Sequence, residues 1–90
     1  MNVASLLFAA QVAASVGPSQ QQLTEALVAY SGLSSAPVIR GVRCKGFEEE
    51  PTEFVCTWRQ RDAGGRWLKW STYLAIDGER FVLIDEPSRS

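Results

Sequence analysis

From Val38 onward apolar and polar residues alternate with a period of two, and two glycine-bearing sites break the alternation, Ala63-Gly64-Gly65 and Asp77-Gly78. A period of two sends successive side chains to opposite sides of an extended strand, so this stretch is committed to β-sheet. Four strands are expected near Val38–Phe47, Glu53–Arg61, Arg66–Ile76 and Arg80–Asp85. Short connections between them make the sheet an antiparallel meander. Ala63-Gly64-Gly65 suits a three-residue hairpin loop with glycine in the left-handed position, which sets Trp58 opposite Trp70, Cys56 opposite Thr72 and Phe54 opposite Leu74. Asp77-Gly78 suits a two-residue type I′ turn, which sets Leu74 opposite Phe81 and Thr72 opposite Leu83. If Cys44 faces Cys56, Val42 falls opposite Trp58 and the first hairpin loop is Glu48-Glu49-Glu50-Pro51-Thr52.

These registers sort the side chains into two faces. One face holds Val42, Cys44, Phe54, Cys56, Trp58, Leu68, Trp70, Leu74, Phe81 and Leu83, an apolar set that needs a cover. A helix supplies it. Ser19 and Gln22 have capping-box spacing, Leu23, Ala26, Leu27 and Tyr30 recur at i, i+3, i+4 and i+7, and Gly32 is placed to end the run, which predicts a helix from Gln20 to Ser31. Pro37 keeps Ala36 out of the helical region, so Leu33 to Pro37 is a connection. The expected class is α+β, one helix packed on a four-stranded antiparallel meander sheet. A chain of 90 residues has room for one domain, residues 19–86, with a linker at 15–18 and a tail at 87–90. In outline the arrangement resembles the cystatin-like helix wrapped by a sheet. No inhibitory motif of that family is present, so the likeness is one of architecture alone.

The other face gathers charge. The same parity puts Arg43, Lys45, Arg59, Arg61, Lys69 and Arg80 there, six of the nine cations, together with Val55, Trp67, Tyr73, Val82 and Ile84. Arg59 falls opposite Lys69, and like charges facing each other across a ladder destabilise it unless an anion lies between them. Arg61 falls opposite Trp67, where a cation–π contact is worth about 0.5–1 kcal/mol when exposed. The expected binding residues are therefore Arg43, Arg59, Arg61, Trp67, Lys69, Tyr73 and Arg80. The plainer reading is a solvated face of an antiparallel sheet with Lys and Arg guarding its edges.

No charged side chain precedes Glu25. Val3 to Ala14 is an apolar run of signal-peptide length, too short to span a bilayer, and Val12 and Ala14 place small residues at the −3 and −1 positions of a cleavage site. Residues 1–14 are thus expected to be a secretory leader cut after Ala14. Its alanine-rich character resembles bacterial export signals, although Met1-Asn2 offers no Lys or Arg ahead of the apolar run. The alternative for the same residues is an N-terminal helix docked on the domain. Cys44 and Cys56 are the only cysteines and belong to no CxxC motif. Outside the cytoplasm they would form a disulfide that adds roughly 2–4 kcal/mol to a small core. The expected location is secreted or periplasmic; a cytoplasmic protein with both thiols reduced is the alternative.

With no histidine in the chain, neither an imidazole general base nor a Cys/His zinc set can be assembled. Glu48-Glu49-Glu50 with Glu53 lacks the alternating Asp/Asn ligands and turn glycine of a calcium loop. Asp85-Glu86 sits near the terminus rather than across a cleft, and Gly64-Gly65 is not followed by the Lys-Ser/Thr of a phosphate loop. Catalysis, a metal and a cofactor are not expected. A formal net charge of −1 also argues against a duplex-DNA binder. Three readings remain. The first is a secreted or periplasmic binding module, an inhibitor or accessory subunit, whose basic aromatic face meets an acidic protein, an anionic glycan or lipid head groups. The second is a cytosolic protein that binds single-stranded nucleic acid or its machinery, with Trp67 and Tyr73 as stacking platforms. The third is a structural module that dimerises through this face.

Overall fold

Ser19 starts the helix as its spacing to Gln22 requires. The Ser19 hydroxyl accepts a hydrogen bond from the Gln22 N–H at 3.1 Å, and the Gln22 side chain accepts one from the Ser19 N–H at 2.9 Å. In this computed structural model, which describes residues 16–90, helix α1 runs Gln20–Ser31. The expected leader and its cleavage point after Ala14 lie outside the described residues. Gly32, at φ 66°, ends α1 in the left-handed conformation and donates its N–H to the Val28 carbonyl at 2.8 Å. Leu23, Ala26 and Leu27 are buried. Tyr30, expected in the same stripe, is instead 49% exposed, in a hollow of about 440 Å³ that Leu33, Pro37, Trp70 and Pro87 also line.

The sheet consists of β1 (Ile39–Gly46), β2 (Glu53–Arg61), β3 (Trp67–Asp77) and β4 (Arg80–Leu83) in the order β1-β2-β3-β4. A fifth strand, β5 (Ser88–Arg89), also pairs with β3, so the residues expected as a tail extend the sheet. The fold is α+β, one helix on a four-stranded antiparallel meander, with this short addition. α1 lies against β4 and β1, the two outer strands of the four. The sheet therefore curls around the helix, and the side chains of β2 and β3 fill the space beneath. Phe54, Cys56, Trp58 and Leu74 are each 2% exposed or less; the last three cluster with Leu23 and Leu27 from the helix, and Phe54 packs edge-on against Phe81 with ring centres 5.8 Å apart. Burying each large apolar side chain is worth about 1.5–3 kcal/mol.

The β2–β3 register is the expected one: Trp58 opposite Trp70, Cys56 opposite Thr72, Phe54 opposite Leu74. Gly65, at φ 86°, takes the left-handed position of the loop. The β3–β4 register differs from expectation. Leu74 pairs with Leu83 and Ile76 with Phe81, which makes Gly78 and Glu79 the central turn residues. Of these two only Gly78 has positive φ, 67°, the pattern of a type II′ turn rather than type I′. Moving the turn by one residue moves each partner by two, so every side chain keeps its face. Thr72 therefore does not face Leu83; its hydroxyl donates to the Asp85 carbonyl at 2.7 Å.

Cys44 faces Cys56 across β1 and β2, and the two form a disulfide with a Cα–Cα distance of 4.1 Å. The backbone ahead of α1 rests directly on it. A Cβ at Gly17 would lie 2.9 Å from the Cys44 Cβ and 3.2 Å from the Phe54 ring, so no larger residue fits there without displacement. Among the described residues no helix is long and apolar enough to cross a membrane.

Candidate functional site: a cationic sheet face

Parity places the expected binding residues other than Arg80 on the sheet face turned away from α1; Arg80, on β4, lines a hollow with Gln22, Glu25, Ala26 and Ala29 of the helix. Arg43, Arg59, Arg61, Lys69 and Tyr73 are exposed on that face, and Trp67 is half-buried. The β2–β3 ladder sets Arg59 opposite Lys69 and Arg61 opposite Trp67. One further residue of this face escapes simple alternation. β1 pairs Arg40 with Arg59 but Arg43 with Thr57, so three steps on β1 match two on β2. That is a β-bulge, with Gly41 at φ 64° supplying the left-handed residue. Unbroken alternation would aim Arg40 at the core and put Val42 opposite Trp58. With the extra residue, Ile39 goes into the core at 5% exposure and Arg40 joins the cationic face, while Val42 has no direct partner. The signal is Gly41 itself, because an isolated glycine in a strand marks a bulge.

The result is a row of three cations, Arg40–Arg59–Lys69, across three adjacent strands. Arg40 also reaches over Trp67, its guanidinium carbon 3.8 Å from the ring centre. The cation on this ring is therefore Arg40, not the expected Arg61. Arg61 leans toward its own hairpin loop, where a Cβ on Gly65 would sit 3.7 Å from its guanidinium. Beside the row, Gly41, Arg43, Thr57, Trp58, Arg59 and Lys69 line a hollow of about 350 Å³.

No carboxylate neutralises this group. The one ion pair among the described residues joins Arg66 to Asp62 in the β2–β3 loop at 3.5 Å. The sequence has no acidic residue before Glu25, so residues 1–15 bring no carboxylate side chain either. Asp62 accepts a hydrogen bond from the Arg66 backbone N–H at 2.9 Å, which, with a further backbone bond from Gly64 and the Arg66 charge, holds its carboxyl below the usual aspartate value.

Further along the strands the face changes character. Lys45, Val55 and Tyr73 form a row, and Tyr73 stacks on Phe47 with ring centres 6.1 Å apart and planes 15° from parallel. Ile84, 46% exposed, flanks them. Beyond lie acids: Glu53 opposite Ala75, Asp77 opposite Arg80, and the Glu48–Glu50 loop. Arg80 is thus separated from the other cations and lines a hollow with Glu25 and Glu79. The two aromatic platforms expected for base stacking are each occupied on one side, Trp67 by Arg40 and Tyr73 by Phe47. The chain matches no family model, and comparison with curated proteins and solved structures found no match. Its disulfide is compatible with an extracytoplasmic location.

Proposed function

We propose that the protein is a small secreted or periplasmic, non-catalytic binding module that meets an anionic partner through the Arg40, Arg43, Arg59, Arg61, Trp67 and Lys69 end of its sheet face. The cross-strand row Arg40–Arg59–Lys69 carries the reading. Three like charges side by side on adjacent strands cost stability in the free protein, and an anionic partner relieves that repulsion on binding. An inhibitor or accessory subunit fits this reading, because it asks for recognition without chemistry. Exported, oxidised protein should bind at least one of heparin, phosphatidylglycerol vesicles or polyglutamate. Replacing Arg59, Arg61 and Lys69 together by Glu should weaken that binding by at least about tenfold. Equal binding by the two proteins would rule out the face. Intact mass of the exported chain should show loss of residues 1–14 and of two further hydrogens; a full-length reduced chain contradicts the location.

One observation favours a second reading, a homodimer through the same face. Arg40, Arg43, Arg59, Arg61 and Lys69 lie at one end of the strands and Glu48–Glu50, Glu53 and Asp77, with Arg80, at the other, the Phe47–Tyr73 stack and Lys45 between. Two antiparallel copies would match basic end to acidic end around an apolar centre. Sedimentation that stays monomeric across concentration removes this reading and leaves the first intact.

A further inference from the structure

We propose that the β1 bulge builds a subsite for one tetrahedral oxyanion group with three free oxygens, a sulfate ester or a phosphate monoester of a larger ligand. The proposal rests on the anionic-partner reading above and names the group recognised. Arg43, Arg59 and Lys69 line one hollow of about 350 Å³ with no carboxylate in its lining, unlike the hollow that Arg80 shares with Glu25 and Glu79. The three cations come from different strands, β1, β2 and β3 respectively. Thr57, half-buried and paired with both Arg43 and Ser71, adds a hydroxyl to the lining between them.

The geometry of donors discriminates among anions. A carboxylate offers two coplanar oxygens and suits one guanidinium fork. A phosphodiester likewise has two free oxygens. A sulfate ester or phosphate monoester directs three acceptor oxygens along different axes, which matches a hollow lined by one cation from each of three strands. Gly41 of the bulge lines the hollow without a side chain, and a Cβ there would meet no atom within 4 Å. Arg40, stacked on Trp67, stands at the end of the same row and adds field without filling the hollow.

The test is a titration of the full, oxidised chain, followed by amide chemical shifts at fixed ionic strength. Four probes are used: glucose 6-sulfate, glucose 6-phosphate, dimethyl phosphate and acetate. Saturable shifts at Gly41, Arg43 and Thr57 are expected with either of the first two, and binding about tenfold weaker with the last two. The stronger of the first two identifies sulfate or phosphate as the group. Arg43→Gln should abolish saturation while leaving a dispersed, folded spectrum, and Arg80→Gln, at the other end of the sheet, should change nothing. Linear shifts with all four probes, or equal affinity for acetate, would overturn the subsite. Polyanion binding measured on the same sample separates the two levels: binding of heparin, phosphatidylglycerol vesicles or polyglutamate without saturable shifts refutes the subsite alone, and no binding of any of these or of the four probes refutes the anionic-partner reading with it.

Discussion

The Arg40 guanidinium lies 3.8 Å above the centre of the Trp67 ring, although the two residues belong to strands that do not pair with each other. Arg40 is on β1 and Trp67 on β3, so the side chain crosses β2 on the exposed face beside its neighbour Arg59. The contact holds a guanidinium in place next to two other cations. Replacing Arg40 by Ala should leave stability within about 1 kcal/mol, since an exposed cation–π contact is worth about that much and removal of a like charge offsets the loss. The Trp67 indole N–H resonance should move while those of Trp58 and Trp70 stay. An unmoved Trp67 signal would show that the stack is absent in solution.

Gly41 sets that geometry through its backbone. At φ 64° any side chain there is strained by the left-handed conformation, and since a Cβ would meet no atom within 4 Å, that strain is the whole cost. Gly41→Ala should cost about 1–2 kcal/mol in urea unfolding, and Gly41→Asn less. Deleting Gly41 removes the extra residue, so plain alternation from Cys44 keeps Arg40 opposite Arg59 on the exposed face and Ile39 in the core, and the β1–β2 pairing should survive the deletion. A Gly41→Ala variant as stable as the parent would contradict the bulge.

The Cys44–Cys56 disulfide joins residues 12 apart in sequence. Closing a loop of this size restricts the unfolded chain by about 3 kcal/mol. Reduction, or a Cys44→Ser/Cys56→Ser pair, should lower the melting temperature by roughly 10–20 °C for a domain of this length. A scanning calorimetry trace that does not shift on reduction would place the bond outside the folded unit.

The β2–β3 loop carries a pH dependence of known sign. Backbone bonding to Arg66 lowers the Asp62 pKa from 3.8, so the loop contact is fully present above the unfolded value and is lost as pH falls through the lower folded one. The Arg66 amide should stay protected at neutral pH and lose protection only in strong acid. Asp62→Ala should remove this acid transition, and an unchanged loss of Arg66 amide protection in that variant would assign it to another group.

Where the sequence offers two independent signals for one boundary, the fold is legible. The helix is bracketed by Ser19 with Gln22 and by Gly32, and it spans Gln20–Ser31 as those signals predict. The Trp58–Trp70 pairing follows from a loop with its left-handed glycine at Gly65, and the Cys44–Cys56 pairing from joining the only two cysteines. A single signal is not enough. Asp77-Gly78 marks a turn without saying which of its residues is central, hence the two-residue slip that leaves faces intact. Gly41 shifts the phase of everything before it in β1, so alternation alone puts Arg40 on the wrong side. β5 is two residues following Pro87, too short for any periodicity, and its anchor, the Thr72 hydroxyl on the Asp85 carbonyl, is a tertiary contact. The Phe47–Tyr73 stack likewise depends on how the chain leaves β1.

The most direct measurement of the face as an anion-binding surface is the salt dependence of heparin affinity, compared between the parent and an Arg59→Gln/Lys69→Gln variant. A steep fall of log affinity with log salt is expected for the parent, and a slope shallower by roughly two released ions for the variant. Parallel slopes for the two proteins would show that this row of cations takes no part in binding.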